Sequence, residues 1–470
     1  MKPHGMQTLR GADVPVSPYH DPRVFGRLFA NLEPFDPSEK ALEKLGGPDG
    51  PMDESKAPAG YVKENMGIPA GFIFLGQFID HDITLDTTSN IDRINDTSAL
   101  RNFRSPGLDL DCIYGSGPEA SPHLYDHDTG NDKADGRKLL IGTADNPDND
   151  LARNRQGRAL IGDPRNDENI LVSQLQLAFI KFHNVVVDQV IAAGEVATEE
   201  IFKEASRIVR WHYQWIIRHE FLPLILGKTR AEALRNEPLR FYPTGRPTFI
   251  PLEFGAAAYR FGHSQLREKF DITSNIRGKK LFELNPGFSP VPKQWKVEWW
   301  RFFDIPDLED PQPSHRIDAF LPDALLRLPD EIVGKGADKF KRSLAFRNML
   351  RGRALMLPSG QAVAKRIGAA KVYDNAELDL EGIGLHEAPL WYYVLKEAEL
   401  DCQGAHLGEV GGTIVGETLE GLLRTDPKSQ LNLHPNWKPD LGETPGDFKM
   451  ADLLTLADSY APKPIEDVKA

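Results

Sequence analysis

Residues 71–90, GFIFLGQFIDHDITLDTTSN, set three hydrogen-bonding side chains inside an otherwise apolar helical segment. Gln77, Asp80 and His81 stand at i, i+3 and i+4, positions that share one helical face at ~100° per residue. Phe72, Ile73, Phe74, Leu75, Phe78 and Ile79 cover most other directions, the pattern of a helix buried on nearly every side. An unpaired buried carboxylate is strongly unfavourable, so this face meets something other than hydrocarbon. Taken alone, the triplet is satisfied either by a polar network within the core or by a bound group. Asp82, directly after His81, makes the cluster denser than a structural core needs.

Four segments downstream carry chemistry of their own. Ser105-Pro106-Gly107-Leu108-Asp109-Leu110-Asp111 places oxygen-bearing groups at every second residue. Calcium takes about six to eight oxygen ligands from carboxylates and carbonyls, and an acidic surface turn is the plain alternative. Gly162-Asp163-Pro164-Arg165-Asn166-Asp167-Glu168 sets a permanently charged guanidinium before a long apolar-periodic run. Arg165 by itself would be a solvated residue or an ion-pair partner. His263, in Ala257-Ala258-Tyr259-Arg260-Phe261-Gly262-His263, would in isolation be a structural histidine. Asn348, Arg351 and Arg353 follow in FRNMLRGRALMLPSG.

In this order the motifs resemble the animal-type haem peroxidases of the peroxidase–cyclooxygenase superfamily, in a bacterial-type form. Gly76-Gln77-Phe78-Ile79-Asp80-His81-Asp82 is similar to that family's Gly-Gln-x-x-Asp-His-Asp. The resemblance implies a haem b cofactor with His81 as distal base, Gln77 bordering the peroxide pocket and Arg165 as distal arginine. It further implies ester links to the haem from Asp80 and Glu168, and His263 as proximal iron ligand supported by Asn348. Arg260 and Arg351 would face the haem propionates. Asp82, Ser105, Gly107, Asp109 and Asp111 would hold Ca2+. Two departures matter. Asn169 stands where the myeloperoxidase type has a methionine linked to the haem, so no third link is expected. Arg260 stands where cyclooxygenases and fatty-acid dioxygenases carry a radical tyrosine, with Tyr259 one place earlier.

The implied activity is haem-dependent reduction of hydrogen peroxide, with oxidation of phenolic donors, halide or thiocyanate. Two alternatives are a haem fatty-acid dioxygenase and a non-catalytic haem- and calcium-binding scaffold. The expected fold is mainly α, a single large helical domain with long connecting loops and little β. Helices are predicted near 67–85, 168–192, 197–227, 253–264, 339–357, 387–397 and 411–424. The stretch 265–335, dense in Pro, Trp and Phe and poor in periodicity, reads as long surface connections. The expected division is a loop-rich arm over 1–60, a catalytic domain over 61–427 and a C-terminal extension over 428–470.

The formal net charge of −13 disfavours nucleic acid or an anionic membrane as partner. No uncharged apolar run near the ~20 residues of a membrane span stands out, and the start, MKPHGMQTLRGADV, is polar. The chain's 2 cysteines, Cys112 and Cys402, argue against a disulfide framework. Together these suggest a cytoplasmic or non-classically secreted protein.

Overall fold

The computed structural model describes residues 25–460, apart from 88, 98, 99, 285 and 286. The polar start and the end of the expected C-terminal extension lie outside the described residues.

Helices dominate, at Gly71–Ile83, Ile170–Ala193, Ile201–Ile216, Leu344–Ala354, Leu390–Cys402, Glu409–Thr425 and Met450–Asp458. Strands are short. Glu64–Pro69 pairs antiparallel with Pro313–His315, and Lys269–Phe270 with Lys279–Lys280. The mainly α expectation holds, and helix centres fall where the periodicity places them. The predicted 253–264 helix divides into Leu252–Gly255 and a tighter 3-10 turn, Ala258–His263. In a 3-10 helix residues i and i+3 eclipse, which brings Arg260 and His263 to the same side.

Ile170–Ala193 is the central helix. The Asn169 side chain caps its start by accepting from the Val172 N–H at 3.0 Å, and Gly194 ends it in a left-handed conformation at φ 66°. By length and composition it could cross a membrane, yet 94% of its apolar window is buried inside the fold. It packs against Gly71–Ile83, Ile201–Ile216 and Met450–Asp458. The Phe78 ring stacks on Phe179 at 4.7 Å, and both meet the edge of Tyr213.

The stretch 265–335 departs from its reading as surface connection. It has little regular structure, but Phe270, Ile272, Val297, Phe302, Phe303, Ile317, Leu321 and Leu326 are buried in the core. Aromatic rings spaced without period can each turn inward from an irregular backbone, so helical or strand periodicity does not reveal them. Phe270, Phe302 and Phe303 pack on the Gly71–Ile83 helix, with Phe72 against Phe303 at 5.1 Å and Phe74 against Phe270 at 5.5 Å. Backbone groups complete the clamp, because Ala70 N–H donates to Gln312 O and Gly71 N–H to Phe302 O, both at 2.8 Å. A side chain at Gly71 would sit 2.5 Å from that carbonyl, so glycine is required by close approach. Phe302, fully buried, should therefore be expensive to truncate. Phe302→Ala is expected to cost about 3–5 kcal/mol, read as a lower denaturant midpoint with an unchanged slope.

Candidate active site

The helix Gly71–Ile83 ends at Thr84, whose backbone N–H and hydroxyl both return to the Asp80 carbonyl, at 2.8 and 3.0 Å. The same hydroxyl donates to Asp80 Oδ1 at 3.0 Å. This termination fixes the turn that carries Asp80, His81 and Asp82. On the predicted face, Gln77 and His81 meet the segment 165–169 that leads into the central helix, while Asp80 is held by Thr84.

His81 is buried, with Nδ1 2.7 Å from Asn166 Oδ1. Asn166 is itself held, since its amide donates to Gln176 Oε1 at 2.8 Å, and Gln176 donates to the Cys112 carbonyl at 3.1 Å. An oxygen acceptor at Nδ1 fixes the hydrogen there and leaves the Nε2 lone pair free. Nε2 lies 3.8 Å from Glu168 Oε1, the oxygen that also accepts from Gln77 Nε2. Burial, then the charge of Arg165, lowers the His81 pKa to about 4, so the ring is a neutral base at physiological pH. Burial raises Glu168 to about 7, helped by the nearby charges of Asp163 and Asp80. Arg165 is three-quarters buried; its guanidinium donates to Asp163 at 3.1 and 2.8 Å and to the carbonyls of His81 and Thr84. Asn169, besides its cap, donates to Gln77 Oε1 at 3.3 Å.

The second half of the site comes from the 3-10 turn and the helix Leu344–Ala354. Asn348, buried, has its amide 2.9 Å from His263 Nδ1. As oriented, the amide Nδ2 faces His263 Nδ1 and Oδ1 accepts from Arg260; the reverse orientation would let Nδ1–H donate to Oδ1 and free Nε2 as a ligand, at the loss of the Arg260 contact. Burial, then the charge of Arg260, lowers the His263 pKa to about 3, so this imidazole is also neutral. Arg260 donates to the Gly255 carbonyl at 3.1 Å and to Asn348 at 3.4 Å. Burial and the neighbouring Arg351 push its pKa down to about 10. Arg351 donates to Ser89 at 2.9 Å and lies 3.9 Å from Asp86. Two adjacent, largely buried guanidiniums with so little carboxylate beside them favour an anionic ligand.

Asp82, Asp109 and Asp111 present carboxylate oxygens within 4.8 Å of one another. Asp82 Oδ2 accepts from the Leu110 N–H at 3.2 Å, while Oδ1 is buried with no hydrogen-bond partner. Burial and mutual repulsion raise Asp82 well above the usual carboxylate range and Asp109 to about 6, a strain that a cation relieves. Ser105 Oγ donates to Asp109 at 2.9 and 2.8 Å. Asp111 Oδ1 is occupied by Arg104 at 2.8 Å, which leaves Oδ2 on the cluster side. Gly107 sits beside Asp109, 3.9 Å from Oδ2 to where its Cβ would be.

The predicted residues thus fall into two histidine-centred groups, on elements that touch each other, and an adjoining acidic loop. Sequence reasoning missed Asn166, Asp163, Thr84 and Arg104. The signal for Asn166 was its place between Arg165 and Glu168; for Arg104 there was none, because its partners lie 7 and 59 residues away in sequence.

With the geometry in place, the comparisons identify the class. The animal haem peroxidase profile matches residues 94–421, and this chain belongs to that family. The His81 helix lies before the matched stretch. Among curated relatives, chorion peroxidase of Drosophila melanogaster is 29% identical over 58% of this chain, and human eosinophil peroxidase is 27% identical over 67%. Those alignments span 34% and 46% of the relatives' own lengths. Among solved structures, peroxidase A of Dictyostelium discoideum superposes with a TM-score of 0.59 at 15% identity, covering 87% of this chain and 88% of that one. A fatty acid alpha-dioxygenase of Oryza sativa also gives 0.59, at 16% identity, covering 86% and 75%. These structural likenesses establish the shared fold.

The polar shell around His81 makes a direct prediction. Asn166→Asp places a carboxylate against Nδ1, stabilises the imidazolium and raises the His81 pKa by about 1–3 pH units. A histidine NMR titration of the haem-free protein checks it; a pKa left near 4 would mean that Asn166 does not control this ring.

Proposed function

We propose that this chain is a haem-dependent peroxidase that reduces hydrogen peroxide and oxidises phenolic donors, halide or thiocyanate. The observation that carries the reading is the His81–Asn166 pair, a neutral base with one nitrogen tied down and the other open, beside Arg165, together with the separate His263–Asn348 pair.

The donor set fits a haem. His263 Nε2 would ligate the iron, Asn348 would hold the ring, and Arg260 and Arg351 would bind the propionates. Asp80 and Glu168 would form the ester links, and a glutamic acid held near neutrality by burial suits an acyl role. Bound haem supplies a redox-active iron that exchanges electrons with peroxide and donor. The chain's own residues manage the protons. His81 Nε2 takes a proton from the arriving peroxide and returns it to the departing oxygen. Arg165 stabilises negative charge on that oxygen, and Gln77 orients the peroxide. Asp82, Ser105, Gly107, Asp109 and Asp111 would hold Ca2+, for which the partnerless Asp82 Oδ1 is the supporting feature. Arg260, three residues before His263, favours peroxidase over dioxygenase.

Stopped-flow absorption with peroxide tests the reading. His81→Ala should keep its haem yet react with peroxide at least about 100-fold more slowly. The parent rate should stay level from neutral pH downward and fall only as pH drops through about 4, where His81 takes up its proton. A variant as fast as the parent would remove His81 from the chemistry. Asp80→Val combined with Glu168→Gln should release the haem into acidified organic solvent; haem that already extracts from the parent excludes the esters.

A further inference from the structure

One buried side chain joins the acidic loop to the arginine beside His81. Arg104 is 6% exposed and spends its three nitrogens in three directions. Nη1 donates to Asp111 Oδ1 at 2.8 Å, and Nη2 donates to the Gly162 carbonyl at 2.9 Å. Nε makes an ion-pair contact with Asp163 Oδ2 at 2.9 Å, off the line of a hydrogen bond. Asp163, fully buried, in turn binds Arg165 through its backbone N–H at 2.9 Å and its guanidinium at 3.1 and 2.8 Å. The two segments also touch through their backbones. Asp163 N–H donates to the Cys112 carbonyl at 3.2 Å, and a Cβ on Gly162 would lie 2.3 Å from the Asp111 carbonyl.

We infer that Arg104 is a positioning residue through which a divalent cation at Asp82, Asp109 and Asp111 sets the orientation of Arg165. The physical basis is a buried row of alternating charge: the acidic cluster, Arg104, Asp163, Arg165. Asp111 is shared, one oxygen on Arg104 and the other on the cluster side, where Ser105 N–H also donates at 3.2 Å. A cation held jointly by Asp82, Asp109 and Asp111 would tie Asp111 to the other two carboxylates. Removing the cation removes that tie and leaves Asp111 to its contacts within the chain, the Arg104 guanidinium among them. One of the three anchors of Arg104 is then loosened, and the change reaches Asp163 through its 2.9 Å contact with Nε. A lysine cannot replace this fork, since an ammonium on a flexible stem does not satisfy three acceptors so arranged. The connection differs from the direct one, in which Asp82 simply adjoins His81 on the same helix.

The functional consequence rests on the peroxidase reading, whereas the connection itself is testable on the protein. Amide exchange by mass spectrometry would be followed over 163–168 with calcium and after chelation with EGTA. The Arg165, Asn166 and Glu168 amides donate within this segment. In the parent, chelation should speed exchange there by about 5- to 150-fold, with Leu390–Cys402 unchanged as an internal control. Arg104→Gln should exchange fast even with calcium bound and stop responding to chelation, and Arg104→Lys should restore little protection. A parent segment that ignores chelation, or an Arg104→Gln segment that still responds in full, overturns the inference. If Arg104→Gln exchanges fast at Leu390–Cys402 too, it has lost its fold, and the parent and Arg104→Lys decide. A spectroscopic titration of cyanide on the haem-loaded protein adds a second readout: Arg104→Gln and chelation should each weaken cyanide, and together weaken it no further than either alone. A parent that binds haem but ignores peroxide would sink the peroxidase reading and leave the exchange result standing.

Discussion

A histidine can act as a base near neutral pH inside a protein only if burial keeps it uncharged while a neighbour fixes which nitrogen carries the hydrogen. His81 meets the first through burial and the charge of Arg165, and the second through one contact, Nδ1 to Asn166 Oδ1 at 2.7 Å. That contact joins segments 85 residues apart in sequence, so the site exists only once the Gly71–Ile83 helix and the start of the central helix have docked. The rest of the fold maintains that docking. Phe78 stacked on Phe179 holds the two helices together below the polar face. The Asn169 cap starts the central helix at the point where Glu168 and Gln77 can meet. The Phe270, Phe302 and Phe303 rings hold the other end of the His81 helix. These are different kinds of contact with one geometric requirement, since an imidazole displaced by about 1 Å is a much poorer catalyst.

The sequence revealed the parts of this arrangement that are local. Gln77, Asp80 and His81 share a helical face because i, i+3 and i+4 always do, whereas the alternating oxygens of 105–111 left an acidic surface turn open until the family resemblance was set beside them. Recognition by motif added His263, Asn348 and Arg165, whose meeting no periodicity predicts. Pairing across long separations stayed illegible. Arg104 reads as one more charged residue in a polar stretch, and only folding brings Asp163 against it. The aromatic clamp was hidden for a related reason. Phe302 and Phe303 lie in irregular backbone, where burial is decided residue by residue and leaves no repeating pattern.

Charge burial explains why these polar groups are so interconnected. The site holds several carboxylates, four arginines and two neutral imidazoles in an interior where an unpaired ion costs several kcal/mol. Networks are the economical answer, because each group solvates the next: Asp163 lies between Arg104 and Arg165, and Asn166 relays from His81 to Gln176. Two positions stay under-compensated, the partnerless Asp82 Oδ1 and the Arg260–Arg351 pair. The first suits a cation and the second an anion, the two kinds of group proposed to bind there. Under-compensation of opposite sign at two places in one site is a stronger pointer to ligands than either alone, because a structural network would have paired the excess internally.

The same reasoning bears on the choice between peroxidase and dioxygenase chemistry. A tyrosine oxidised to a neutral radical must give up its phenolic proton, so it needs an acceptor within hydrogen-bond reach. Tyr259 is the aromatic residue closest in sequence to His263 that could serve, and it stacks on Phe254 at 4.4 Å. Its hydroxyl is buried without a hydrogen-bond partner, and burial, with the charge of Asp80, pushes its pKa well above 10.0. Both features oppose loss of the proton. Arg260, the side chain at the position three before His263, is bound to Asn348 and the Gly255 carbonyl and has no proton to give at working pH. A site so arranged keeps its oxidising equivalents for donors that reach it from solution, which is what a peroxidase requires.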